Sequence, residues 1–256
     1  MKKFLILSIT SLSIFFAKGQ VNELEKAEAF QLVINNQKDL KLSAEELNNV
    51  FVQSTYKNKY AGTRMVYLQQ SYKAIPVYNQ IQTLAFKEGK LISIAGERIS
   101  NLNTVINVES GRPSVTAEEA VISAIANRKL MPKEEPISLN RLANGNKIEF
   151  GTLGIARENI TAELMWFPAE SAKGEVKLSW QIYIVQNNSS DYWLVNVDAN
   201  DKSILGIGNL TVYCNWDDPN HNATHKHINT LNPEVKNFIK LPWESVLTNT
   251  KKKICC

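Results

Sequence analysis

The sequence predicts an α+β protein of two consecutive modules, each a helix followed by an antiparallel β-sheet. Three observations predict it. Apolar residues recur at helical spacing at the head of each half of the chain. Stretches rich in branched and aromatic residues follow each helix, with turn-forming residues between them. Between the halves, residues 101–115 are polar and contain Gly111 and Pro113, which is linker composition. No fixed-period repeat of the solenoid kind is present.

In the first half, Leu24, Ala27, Phe30, Val33 and Ile34 fall at helical spacing over residues 22–37. Ser43-Ala44-Glu45-Glu46 is a capping box, so a short helix is expected to begin there. From Val50 the period changes. Strands are expected at 66–72, 81–86 and 91–99, with Lys87-Glu88-Gly89-Lys90 supplying the glycine a tight hairpin needs. Ile75-Pro76-Val77 is expected in the preceding connection, because proline removes a ladder donor.

The second half opens on another capping box, Thr116-Ala117-Glu118-Glu119. The helix after it carries Ala120, Ile122, Ala124, Ile125 and Leu130 and is expected to end at Met131-Pro132. Residues 132–158 are polar and mixed. Strands are then expected at 162–167, 178–185 and 192–198. Leu178, Trp180, Ile182 and Ile184 share one face, which should pack on the helix. After Asn209 the pattern breaks up, and residues 214–233 have linker composition.

The chain opens Met1-Lys2-Lys3, runs apolar from Phe4 to Ala17 and ends that run in Ala17-Lys18-Gly19. This is the pattern of a secretory signal peptide, with cleavage expected between Gly19 and Gln20. The apolar run is too short and too serine-rich for a comfortable membrane span. The expected location is therefore extracellular or periplasmic, with no membrane attachment after cleavage. Loss of residues 1–19 removes three lysines and no acid, leaving 26 basic and 25 acidic residues. A surface so near neutral gives no reason to invoke nucleic acid or an anionic membrane. The three cysteines, Cys214, Cys255 and Cys256, do not form a disulfide framework by count or spacing.

Catalytic chemistry has few candidates. All three histidines, His221, His225 and His227, lie in the linker-like stretch. His221 and His225 have the four-residue spacing of a zinc-binding helix, but Asn222 stands where the catalytic form needs a glutamate base. Together with Asp217 and Asp218 the three imidazoles are the weak metal candidates of this chain. No other histidine exists to build a triad, and no phosphate-binding glycine loop appears. The residues by themselves point to a binding or folding module, not an enzyme.

The stretch from Gly62 to Asn79 resembles the fungalysin/thermolysin propeptide motif. Tyr67, Gln70, Ile75, Val77 and Asn79 fit that motif, and Pro76 and Tyr78 stand within it. Ala74 stands where the family usually has glycine, and Met65 where it often has histidine. Residues 85–93 are similar to the family's next strand pair. The second half, 116–208, resembles the PepSY domain of the same proproteins through Trp180-Gln181-Ile182-Tyr183-Ile184 and the run from Tyr192 and Trp193 to Asp198-Ala199. Asp201-Lys202 replaces that family's usual Thr-Gly turn. Residues 209–240 resemble the connector to the protease in bacterial fungalysins. Leu241-Pro242-Trp243-Glu244-Ser245 is similar to the start of the mature domain, and the tail to Cys256 resembles nothing in it.

The resemblance implies a pro-region, here residues 20–100 and 116–208, that holds a zinc metalloprotease inactive, aids its folding and is cut away. It implies a fungalysin-type catalytic domain as partner, in cis or in trans. Zinc is expected only in that domain, beyond residue 256, and no cofactor in this chain. An orphaned pro-region, ended by a premature stop or frameshift, and a free-standing secreted inhibitor or chaperone both remain open.

Overall fold

A computed structural model of the chain describes residues 23–142, 145–169 and 174–212. The expected signal peptide, the histidines, the cysteines and residues 213–256 lie outside the described residues.

Helix α1, Glu23–Asn35, begins with Glu23 and Glu25, whose charges suit the positive end of the helix dipole. It buries Ala29 and Val33, with Phe30 and Leu32 packed beside them. Leu24 and Ile34, expected on that face, are exposed, because the buried stripe follows the 29–33 ridge. Helix α2, Ala44–Asn48, has the expected capping box: Glu46 N–H donates to the Ser43 hydroxyl, and Ser43 N–H to the Glu46 carboxylate. Helix α3, Ala117–Asn127, repeats the device with Thr116 and Glu119. It buries Ala117, Ala120, Val121, Ala124 and Ile125, one stripe at helical spacing. It stops before Met131-Pro132. Lys129 turns left-handed at φ 55, and Leu130 N–H reaches back to Ile125 O, closing the end.

The strands are β1 (Val50–Asn58), β2 (Thr63–Tyr72), β3 (Ile75–Lys87), β4 (Lys90–Ala95), β5 (Asn140–Leu142), β6 (Lys147–Glu149), β7 (Thr161–Pro168), β8 (Val176–Val185), β9 (Tyr192–Asp198) and β10 (Ile204–Asn209). The fold is α+β as expected, mostly sheet with few helices. The expected separation into two modules is corrected. The ten strands form one sheet, ordered β1-β2-β3-β7-β8-β9-β10, with β4 beside β3 and the β5–β6 pair on β7. The join is parallel, Val77 opposite Trp166; the other strand pairs are antiparallel. Ile75-Pro76-Val77 is therefore not a connection but the first part of β3.

Two apolar clusters persist within this sheet. The smaller sits under α1 and takes Val50, Val52, Val66, Leu68, Leu84 and Phe86 from the strands. The larger sits under α3, where Leu178, Trp180, Ile182 and Ile184 of β8 meet the helix. Ile75, Val77 and Leu102 belong to this second cluster, so the boundary in sequence is not the boundary in packing. The stretch 101–115 is likewise docked. Val176 N–H donates to Val105 O, and Asn107 N–H returns to Val176 O. Ser114 and Val115 N–H both donate to Ala199 O. Residues 132–158, which read as merely polar, bury Ile148, Phe150, Leu153 and Ile155.

The two-residue turn between β2 and β3 places both Lys73 (φ 50) and Ala74 (φ 62) in the left-handed region. A Cβ there costs about 1–2 kcal/mol per residue. Ala74→Gly should therefore stabilise the protein by about 0.5–1 kcal/mol, allowing for glycine's greater freedom in the unfolded chain. A urea titration reads this as a higher midpoint at unchanged slope. An unchanged or lower midpoint would mean that the turn holds no strain at Ala74.

Candidate functional site

The residues singled out in the first half converge on the β2–β3 hairpin and its junction with β7. From the turn, Tyr72 pairs with Ile75 and Ser71 with Pro76, but the next register pair is Gln69 with Ile81. Val77 to Gln80 thus bulge opposite Gln70, and Asn79 takes φ 56 within the bulge, a conformation asparagine tolerates.

The bulge leaves carbonyls without ladder partners, and the adjacent glutamine supplies donors. Gln69, 5% exposed, points its amide nitrogen at Gln70 O and Val77 O, each at 2.8 Å, and at Gln80 O at 3.2 Å. Gln70 acts on the segment after β4: its amide donates to Ile99 O at 2.7 Å and accepts from Ile99 N–H at 2.9 Å. That reciprocal pair ties the segment after β4 to the hairpin.

Ile75 and Val77 are buried, and Tyr72 packs against the same cluster. The Trp166 ring meets Tyr72 edge-on at 5.8 Å, and its indole N–H donates to Tyr72 O at 3.0 Å. Tyr78 is half-buried and stacks on Phe167 at 5.5 Å; burial pushes its phenol above the ordinary range. Pro76 is half-buried, and Asn79 is exposed. Tyr67 lies opposite Thr83 and faces the Tyr56 ring at 6.4 Å, its phenol raised by burial and then by Tyr56. The motif residues thus build a seam. Ile75 and Val77 fill the chain's own core and offer no surface to a partner.

In the second half, Trp180 is 4% exposed and donates its indole N–H to Val115 O at 2.8 Å, pinning residues 101–115 to the sheet. Asp198, 1% exposed, accepts from Asn200 N–H at 2.8 Å and from the Lys177 ammonium at 3.2 Å. The bond to Asp198 holds the Lys177 pKa above its usual value. Asp198 thus shapes the β9–β10 turn, where Lys202 takes φ 69 in the left-handed region. Trp193 lies under the Arg128 guanidinium at 4.1 Å, and Tyr192 stands 6.1 Å from Tyr183. Arg128 Nε has no hydrogen-bond partner, so the ring face is its compensation.

Sequence reasoning missed Gln69 and Trp166, the two side chains that hold the seam. A glutamine next to Gln70 inside a strand and a tryptophan in the middle of β7 were the available signals. On β8 and β9, half-buried Tyr183 donates to buried Gln181 at 2.8 Å, and Gln181 to buried Asn196 at 3.1 Å.

Three carboxyls have their pKa values lowered in the folded chain. The Lys202 ammonium, with Thr116 N–H, holds Glu119 below the ordinary carboxylate range. Bonds from Ser203 hold Asp201 down. Partial burial pushes Glu46 up, but bonds from Ser43 and Arg98 outweigh it. A lowered folded-state pKa gives stability present above the unfolded value and lost as pH falls through the folded one. The melting temperature should therefore hold near neutrality and fall below about pH 4.5. Glu119→Gln should flatten part of the fall; a melting temperature level down to about pH 3 would contradict these assignments.

The described residues contain no histidine and no cysteine. Among them no group of three or more His, Cys, Asp or Glu could hold a metal ion, and no helix is long and apolar enough to cross a membrane.

The fungalysin/thermolysin propeptide motif matches residues 52–97, the span that holds β2, β3, β4 and the bulge. No curated protein matches the chain. Among solved structures, the Bacillus megaterium YpeB C-terminal domain is similar at 10% identity and a TM-score of 0.31. The likeness covers 73% of this chain and 65% of that one, and so loose a superposition carries no argument about function.

Proposed function

We propose that the chain is the pro-region of a secreted fungalysin-type zinc metalloprotease, acting as an inhibitor and folding aid for the catalytic domain. The observation that carries the proposal is the propeptide motif at residues 52–97. The architecture supports it: the motif's Gln70, Ile75, Val77 and Asn79 build one seam, in which a bulged hairpin is locked against the rest of the sheet. A pro-region must be rigid before its enzyme is, because a preorganised surface spends less of its interaction free energy on ordering itself.

In this reading residues 116–208 are a PepSY-like second half, residues 1–19 a signal peptide, and zinc belongs to the catalytic domain alone. The chain covers the protease cleft without taking part in hydrolysis. Two assays test the proposal. A denatured fungalysin-type catalytic domain should recover activity on dilution only when residues 20–256 are present and later removed by proteolysis. The chain alone should not cleave casein, with or without zinc. Unaided recovery at the same yield, or chelator-sensitive casein cleavage by the chain, would overturn the proposal.

A further inference from the structure

Since Ile75 and Val77 are internal, a partner must be met by other residues. The turns of the β1–β2 and β3–β4 hairpins lie side by side: Asn58 pairs with Thr63, Thr63 with Lys87, and Lys87 with Lys90. Four lysines therefore gather at one end of the sheet, Lys57 and Lys59 on the first hairpin and Lys87 and Lys90 on the second. All four are exposed. Among the described residues none of the four has an acidic partner, whereas Lys26, Arg64, Lys177 and Lys202 are each paired with one. Lys57, Lys59 and Arg64 share a shallow depression with one acid, Glu88. Of the three glutamates of α1, Glu28 is bound to Arg64 and Glu23 to Lys26, and Glu25 makes no ion pair with the four lysines.

Tyr60 stands at the tip of the first hairpin, fully exposed. Its loop is ordered by the Asn58 side chain, which accepts from Tyr60 N–H at 3.1 Å and from Ala61 N–H at 3.2 Å. A tyrosine held out by an ordered turn, with Lys57 and Lys59 on its own hairpin and Lys87 and Lys90 on the next, is an aromatic anchor at a basic end of the sheet. Like charges gathered at one end of a sheet repel one another, and an acidic surface relieves that repulsion. We infer that this hairpin end docks on an acidic face of the chain's protease partner, with Tyr60 as the anchor. The inference rests on the pro-region reading above.

Binding of the chain to a separately produced fungalysin-type catalytic domain tests it. The association rate should fall about tenfold or more between about 0.05 M and about 0.5 M salt. Charge reversal at all four positions, Lys57→Glu, Lys59→Glu, Lys87→Glu and Lys90→Glu, should remove that salt dependence and slow association by about tenfold at low salt. Tyr60→Ala should instead speed dissociation. Reversal of the exposed Arg112 and Lys129 is the control and should change neither. Melting temperatures establish that each variant folds, and four Lys→Gln changes at the same positions serve if the reversals do not. If the wild type binds and the four-lysine variant associates at the same rate with the same salt slope, the docking surface is wrong and the pro-region reading stands. If the wild type does not bind the catalytic domain at all, both fall.

Discussion

Replacing Trp166 with alanine should destabilise the protein by about 3–5 kcal/mol, the cost of emptying a fully buried indole site. Trp166 has no exposed surface and stands where β7 meets β3, touching Tyr72 with its ring and Tyr72 O with its N–H. The loss should be felt on both sides of the seam, since Ile75 and Val77 of the first half pack into the cluster that holds Trp166. Trp166→Phe should recover most of the packing and still cost about 1 kcal/mol, because Tyr72 O loses its donor. Chemical denaturation of the three proteins measures this. A Trp166→Ala midpoint close to the wild type would show that the parallel join is not a stabilising contact.

The second large effect is expected at Gln69. Gln69→Leu keeps the side chain near its original size but removes the donors aimed at Gln70 O, Val77 O and Gln80 O. Buried carbonyls left without donors cost about 1–3 kcal/mol each, and water entering the bulge relieves part of that, so a net loss of about 2–4 kcal/mol is expected. The bulge should also loosen locally. Hydrogen exchange at residues 77–81 should speed up well before global unfolding. Unchanged protection there would mean that the bulge is held by its neighbours and not by Gln69.

These two residues show where the sequence is legible and where it is not. Both capping boxes could be read directly, because the interaction spans three residues and its chemistry is in the letters. The Lys87–Lys90 hairpin was equally local. The β8 face was readable because four apolar residues alternate there. What could not be read is long-range. β3 pairs with β2, β4 and β7 at different points along its length, and nothing local in Ile75-Pro76-Val77 distinguishes a connection from a strand whose ladder is about to bulge. Residues 101–115 read as polar because their apolar residues show no helical or strand period. Yet Leu102 and Val115 are buried in the cluster under α3, Val105, Ile106 and Val108 pack against it, and backbone bonds to Val176 and Ala199 complete the docking. The motif residues were found by resemblance, which does not say which of them face the core. The structure puts two of them in the core because alternation places Ile75 and Val77 on one face of β3, the face that meets the cluster under α3.

The most direct test of the account is a titration. A folded fungalysin-type catalytic domain, held at a fixed concentration well above the expected dissociation constant, is mixed with increasing amounts of residues 20–256, and the initial rate of peptide hydrolysis is recorded. The account predicts that activity falls in proportion to added chain and is lost near an equimolar ratio. Proteolytic removal of the chain should then restore it. Activity that stays level through several molar equivalents, with both proteins shown to be folded, would contradict the claim that this sheet and its seam exist to hold a protease in check.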